Sequence, residues 1–132
     1  MLWFLFACST VAPVPEGTQL APCPSSSNCV STMADPADAQ HYHPSAPAPS
    51  VDIVVQAIEA LPGCVLEHRA DDQLRAACST PSGLFTDDLH VVVRDGTLHA
   101  RSSSRMGYGD LGVNRARVEA LYAAVATGTT AE

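Results

Sequence analysis

Aspartate, histidine and arginine, which are residue types that hydrolytic enzymes use, recur in the stretch DDLHVVVRDGTLHAR at residues 87–101. Within it, Asp95-Gly96 is a strong signal for a type I′ hairpin turn. The register that this turn sets places an acid, two potential bases and a cation on one sheet face: Asp88, His90, His99 and Arg101. Such a face could serve a hydrolase or transferase, but an ordinary solvated sheet face carries the same residue types.

Asp87 and Asp88 are a second candidate for acid–base chemistry. Adjacent residues of a strand point to opposite faces of the sheet, which separates the two carboxylates. The chain contains no G-x-S-x-G or S-x-x-K motif, and it has no lysine that could form a Schiff base. We therefore assign no catalytic residue, and the sequence favours a non-enzymatic module.

Positive charge is concentrated at residues 101–117, where four arginines accompany a single acid, Asp110. In one interpretation, Asp110 pairs with Arg105 or Arg115 and braces a turn, while Asp87 or Asp88 binds another arginine. In the other, Arg101 and Arg117, which have no obvious acid, bind an anion or a partner. We assign one binding or structural network to eight residues: Asp87, Asp88, Arg101, Arg105, Asp110, Asn114, Arg115 and Arg117.

These two interpretations predict different mutational effects. If Asp110 braces the turn, Asp110→Asn should lower the melting temperature by several degrees. Arg117→Gln should then leave the melting temperature almost unchanged and weaken anion binding. The glycine-rich stretch MGYGDLGVNR also has the layout of a loop that cradles an anion before a helix. It lacks the βαβ unit of a dinucleotide-binding fold, so no cofactor is expected.

Five cysteines are present, and four of them form two neighbouring pairs. We predict disulfides between Cys23 and Cys29 and between Cys64 and Cys78, as is typical of a protein in an oxidising compartment. Zinc is the alternative for the first pair, with His41 and His43 as nitrogen ligands. The five residues between the cysteines exceed the usual C-x₂₋₄-C spacing, so we assign no metal.

The remaining pattern predicts helix, four strands and helix in that order. Apolar residues recur at helical spacing after Ser50, which can cap the first helix, and Pro62-Gly63 ends it. Asn114 is predicted to cap the second helix. We therefore expect an α+β fold of two layers, in which a four-stranded antiparallel meander is flanked by two helices (α-β-β-β-β-α) and preceded by an irregular N-terminal arm.

The two hairpins have predicted registers. The turn at Asp95-Gly96 gives these opposite pairs: Arg94–Thr97, Val93–Leu98, Val91–Ala100 and Leu89–Ser102. In the first hairpin, the apolar pattern selects a register with these pairs: Cys64–Cys78, Leu66–Ala76, His68–Leu74 and, on the other face, Glu67–Arg75.

The start of the chain predicts where in the cell the protein is located. Leu5-Phe6-Ala7-Cys8 resembles the lipobox of bacterial lipoproteins, in which a signal peptide is cleaved before a cysteine that receives lipid. We predict lipidation at Cys8, a membrane anchor, and a location in the cell envelope on the periplasmic or outer side. The predicted organisation is a lipobox remnant at 1–8, a flexible linker at 9–22, a single domain at 23–126 and a disordered tail at 127–132.

The formal net charge of −7 argues against nucleic acid as a partner, because binding to phosphates requires a basic surface. The expected partners are the membrane, reached through the N-terminal lipid, and a small anionic molecule or an envelope protein.

Three stretches carry a resemblance to a known family: CPSSSNCVS, LFTDDLHVVV and RSSSRMGYGDLGVNRARVE. In order and wording they resemble domain-of-unknown-function family 1499, over roughly residues 22–125. The resemblance implies a secreted, membrane-attached or lipoprotein chain of bacteria and supplies no activity. The residues that match the pattern of the family are Asp87, Asp88, Arg101, Ser104, Arg105, Gly107, Asp110, Gly112, Asn114, Arg115 and Arg117.

Overall fold

A computed structural model describes residues 20–107 and 109–131. In chain order, the strands are β1 Cys29–Ser31, β2 Ala46–Pro47, β3 Cys64–Arg69, β4 Gln73–Ser79, β5 Thr86–Arg94 and β6 Thr97–Ser104. Two helices, α1 Val51–Ala60 and α2 Val113–Ala131, lie before β3 and after β6. The fold is thus α+β with an open antiparallel sheet, as predicted.

The sheet has six strands, so the prediction of four is wrong. Its order is β1-β6-β5-β4-β3, and β2 also pairs with β6. The two additional strands come from the segment that was predicted to be an irregular arm. They are two or three residues long, too short to show an alternating pattern, and they cover the backbone groups that the edge strand β6 would otherwise expose.

The β5–β6 hairpin has the predicted register. Arg94 pairs with Thr97, and the three inner pairs follow as expected: Val93–Leu98, Val91–Ala100 and Leu89–Ser102. Both turn residues have positive φ, 54° at Asp95 and 75° at Gly96, which a type I′ turn requires.

The β3–β4 hairpin follows its predicted register only in part. Cys64 lies opposite Cys78 and Leu66 opposite Ala76, as predicted. The register then shifts between Leu66 and His68, so that His68 lies opposite Arg75. The predicted pairs His68–Leu74 and Glu67–Arg75 are therefore wrong, because Glu67 is the extra residue of a bulge, where two residues of one strand oppose one of its neighbour.

The core lies between the helices and one face of the sheet. Its fully buried side chains include Val54 and Ile58 of α1, and Val118 and Leu121 of α2. Ser50 caps α1 as predicted, and its side chain accepts a hydrogen bond from the backbone N–H of Ile53 at 3.3 Å. The opposite face of the sheet, which we call the outer face, faces away from the helices.

The folded part of the chain extends beyond both ends of the span 23–126 that was predicted for the domain. Leu20 is buried, so the packed body begins inside the predicted linker. Helix α2 continues to Ala131, past the predicted end of the domain at residue 126. A Cβ added at Gly128 would lie 3.4 Å from the side chain of Ile53, so α2 lies close to α1 at this position.

Both predicted disulfides are present, Cys23–Cys29 and Cys64–Cys78. Cys8 lies outside the described residues. Among the helices of the described chain, none combines the length and the apolar character that a membrane span requires.

Candidate functional site

The most deeply buried ion pair joins β5 to α2. Nη1 of Arg117 donates a hydrogen bond to Oδ2 of Asp87 at 2.7 Å, and the two side chains are only 10% and 1% exposed. The same guanidinium nitrogen approaches the hydroxyl of Ser102 at 3.2 Å and Oδ1 of Asn114 at 3.1 Å. Arg117 therefore belongs to the interior, and the expectation that it lacks an acid is wrong.

Asn114 connects this pair to the rest of the site. Its Oδ1 accepts a hydrogen bond from the hydroxyl of Ser102 at 2.7 Å. Its Nδ2 lies within hydrogen-bonding distance of the backbone carbonyl of Asn28, the hydroxyl of Ser104 and Oδ2 of Asp110. Asn114 is fully buried inside α2, so the prediction that it caps the helix is wrong. Neither Asn28 nor Ser102 was predicted as a site residue: Asn28 lies far from the arginine-rich stretch, and Ser102 lies within it but carries no charge.

The helix cap is instead Asp110. Its Oδ1 accepts from the backbone N–H of Gly112 at 2.9 Å, and its Oδ2 accepts from the backbone N–H of Asn114 at 3.0 Å. Burial raises the pKa of this carboxyl, but the hydrogen bonds from Asn114 and Gly112 lower it more, so its pKa lies below the usual value. The predicted pairing of Asp110 with Arg105 or Arg115 is therefore wrong.

This cap also decides what the glycine-rich loop can bind. Gly107, Gly109 and Gly112 follow the G-x-G-x-x-G spacing of loops that bind phosphates at a helix N-terminus. Here the carboxylate of Asp110 already accepts the hydrogen bonds that a bound anion would receive from Gly112 and Asn114. The loop binds its own side chain in place of an external anion.

Arg105 and Arg115 bind elsewhere. Arg105 forms a bidentate contact with Asp88, with its Nε 3.1 Å from both carboxylate oxygens and its Nη2 2.9 Å from Oδ1. This pair is about half exposed. Arg115 donates to three backbone carbonyls of the N-terminal arm, those of Ala39, Gln40 and Tyr42, and so fastens the arm to α2.

A cavity of about 540 Å³ opens on the outer face, and we call it the outer pocket. It lies between the β3–β6 part of the sheet and the start of the described chain, and its polar lining consists of Glu67, Arg75, Asp88, His90 and Arg101, beside the residues at 20–22. Arg75 is exposed and binds no carboxylate among the described residues. It was not predicted as a site residue, since it stands outside the arginine-rich stretch.

Arg101 lines the outer pocket, and one of its hydrogen-bond donors is not used by the described residues. Its Nη2 donates to the backbone carbonyl of Pro22 at 3.2 Å. Its Nε is buried and has no hydrogen-bond partner among the described residues. Burial lowers the pKa of this guanidinium, whereas the nearby carboxylate of Asp88 raises it. A buried N–H without an acceptor is costly, because it has lost its hydration and gained no hydrogen bond in return.

The two histidines of this face have different surroundings. His90 lines the outer pocket, and its Nε2 lies 3.1 Å from Oε1 of Gln73. Burial and then the charges of Arg75 and Arg101 lower its pKa to about 4, so it is neutral at pH 7. His99 is fully buried near the hydroxyl of Thr32, and burial lowers its pKa as well. The predicted acid–base face therefore does not assemble as one accessible group.

The zinc alternative is also not supported by the positions of its residues. Cys23 and Cys29 are bonded to each other, and Nδ1 of His41 binds Asp38 at 2.7 Å. His43 contacts Glu119 and stacks edge-on against Tyr122. Across residues 20–107 and 109–131, histidine, cysteine and carboxylate side chains form no group of three or more that could hold a metal ion.

Most of the chain matches a known protein family. A family model described as "Protein of unknown function (DUF1499)" matches residues 19–125, a span that contains the buried network, the outer pocket and both disulfides. No curated protein matches the chain.

Proposed function

The chain belongs to the DUF1499 family, and from this premise we propose that it is a non-enzymatic binding module of the cell envelope, which holds a small anionic group in the outer pocket. The supporting observation is the buried Nε of Arg101, which has no acceptor among the described residues and lies beside a cavity large enough for a small ligand. A carboxylate or phosphate oxygen would supply that acceptor.

The charges around the outer pocket agree with an anionic ligand. Arg105 neutralises Asp88, so Arg75 and Arg101 outnumber the remaining carboxylate, that of Glu67, by one charge. His90 contributes no charge at neutral pH. Guanidinium groups present several N–H donors in one plane, an arrangement that suits the oxygens of carboxylates and phosphates.

The envelope location remains a proposal. It is supported by two disulfides in a small domain, which are typical of oxidising compartments, and by the lipobox-like residues before Cys8. If Cys8 carries a lipid, labelled fatty acid should enter the protein in bacterial cells and be absent from Cys8→Ala. Labelling that persists in Cys8→Ala would contradict the anchor at this position.

The alternative function, a hydrolase or transferase that uses Asp88, His90, His99 and Arg101, has less support. Arg105 binds both oxygens of Asp88, and His99 is enclosed, so neither is positioned as an accessible acid or base.

Anion binding can be tested by calorimetric titration of the full chain with inorganic phosphate and, separately, with succinate. We expect at least one of them to bind. Arg101→Met should weaken that binding about tenfold or more, because it removes a charged hydrogen-bond donor. The matched control is Arg69→Met, since Arg69 forms an exposed pair with Asp52 outside the pocket.

A second measurement locates the anion. Bound negative charge beside His90 should raise the pKa of that imidazole from about 4, which NMR can follow through the ring resonances. The proposed function would be contradicted if neither phosphate nor succinate bound, or if Arg101→Met and Arg69→Met bound the anion equally well.

A further inference from the structure

A second cavity, of about 420 Å³, lies at the other end of the site, between the loop at 80–85 and the residues at 106–107 and 109–113. We call it the loop groove. Its apolar walls are Pro81, Phe85, Met106, Leu111 and Val113. Phe85, Met106 and Leu111 are among the large apolar side chains that remain exposed, and Leu111 is completely so. The groove therefore offers apolar surface that the rest of residues 20–107 and 109–131 does not cover.

One carboxylate oxygen at the wall of the groove has no hydrogen-bond partner among the described residues. Asp87 lines the groove although it is 1% exposed. Its Oδ2 accepts from Arg117, but its Oδ1 is buried and has no hydrogen-bond partner within the described residues. Buried carboxylate oxygens normally accept hydrogen bonds, so this atom is an unfilled acceptor at the wall of the groove, which a ligand can reach once the side chains that cover it move.

The neighbouring groups indicate which donor fits. Arg117 already neutralises the charge of Asp87, and its own positive charge disfavours a second cation beside it. Ser104 also lines the groove, and its hydroxyl oxygen accepts from Nδ2 of Asn114, which leaves its proton free to be donated. A neutral hydroxyl can donate to Asp87 and accept from Ser104 at once.

We propose that the loop groove binds a small apolar molecule that carries a neutral hydroxyl, and that this hydroxyl donates a hydrogen bond to Oδ1 of Asp87 while the apolar body packs against Phe85, Met106 and Leu111. This site is separate from the outer pocket and does not depend on anion binding there.

A pair of probes that differ in one donor tests the proposal. The full chain is titrated with 4-butylphenol and with 4-butylanisole, in which a methyl group replaces the hydroxyl proton, and binding is followed by NMR. We expect the phenol to bind about tenfold more tightly, as a hydrogen bond to a buried charged oxygen should provide. The carboxyl carbon resonance of Asp87 should shift with the phenol and remain unchanged with the anisole.

A variant tests the apolar wall without disturbing the ion pair. Leu111 has a φ of 54°, a conformation that asparagine tolerates better than leucine, so Leu111→Asn should fold normally. It should weaken both probes several-fold and preserve their ratio. The matched control is Val65→Asn, which removes an exposed apolar side chain on β3. Equal affinities for the two probes, or equal effects of the two variants, would overturn the proposal.

Discussion

Asp87 and Asp88 are adjacent in sequence and each binds one arginine, yet the two ion pairs lie in opposite environments. The Asp87–Arg117 pair is buried on the helix side of the sheet, with side chains 1% and 10% exposed. The Asp88–Arg105 pair lies on the outer face, with side chains 53% and 47% exposed. The pleat of β5 turns the two consecutive side chains to opposite faces, and α2 packs over the face that carries Asp87.

The comparison shows that similar chemistry has different consequences on the two faces. A buried pair has lost its hydration, so removing one partner leaves a charge that neither water nor protein compensates. An exposed pair keeps its water, and its net contribution to stability is small. The helix side of the site should therefore determine whether the domain folds, while the outer face remains available for binding.

The largest effect is expected from breaking the buried pair. Arg117→Met should lower the free energy of unfolding by about 3–5 kcal/mol, because Asp87 would remain buried without its cation. Urea denaturation measures the change. Adding Asp87→Asn to Arg117→Met removes the stranded charge and should recover part of the loss. Stability within about 1 kcal/mol of the parent in Arg117→Met would mean that the two aspartates are equivalent after all. This prediction replaces the expectation from sequence that Arg117 could be changed at little cost.

On the outer face, His90 should make the stability of the protein depend on pH. Burial and the charges of Arg75, Arg101 and His68 lower the pKa of His90 to about 4, whereas the unfolded chain has the usual value of 6.5. The unfolded chain therefore binds the proton first, and stability falls as the pH decreases from 6.5 to 4. At no more than about 1.4 kcal/mol per pH unit, the parent should lose about 2–3 kcal/mol more than His90→Gln over this range. Parallel stability curves for the two proteins would show that His90 is not held neutral.

A smaller effect is expected at the cap of α2. Asp110→Asn keeps one acceptor oxygen but places an NH₂ group where the carboxylate now accepts from Asn114, and it should cost about 1–2 kcal/mol. Because the pKa of Asp110 is depressed, its contribution is present at neutral pH and is lost as the pH falls through that pKa. Asp71→Asn, an exposed change in a turn, is the control and should shift stability by less than about 0.5 kcal/mol.

The smallest effect is expected at the exposed pair. Arg105→Met should change the free energy of unfolding least of these variants, because water already solvates both charges, and high salt should reduce the difference further. The same denaturation experiment compares it directly with Arg117→Met. A loss as large as that of Arg117→Met would contradict the difference between the two faces.

Local patterns were sufficient for much of the fold. The turn at Asp95-Gly96 and the alternation of β5 and β6 predicted every pair of that hairpin that we specified. Ser50 was identified as a cap because its side chain acts within one turn of helix. The Cys64–Cys78 disulfide followed from a register set by nearby apolar residues. In each case the interacting groups are either close in sequence or joined by a regular strand pairing.

The partners of the charged side chains required the tertiary structure. Four arginines stood near Asp110 in sequence, yet Asp110 caps its own helix, and Arg117 reaches across 30 residues of sequence to Asp87. The bulge at Glu67 and the short strands β1 and β2 likewise depend on contacts that no local period encodes. Sequence by itself determined which residues could be charged, capped or bonded, because those are properties of residue type and spacing. Only the fold decided which charge is buried with which, because burial and distance are properties of the packed chain.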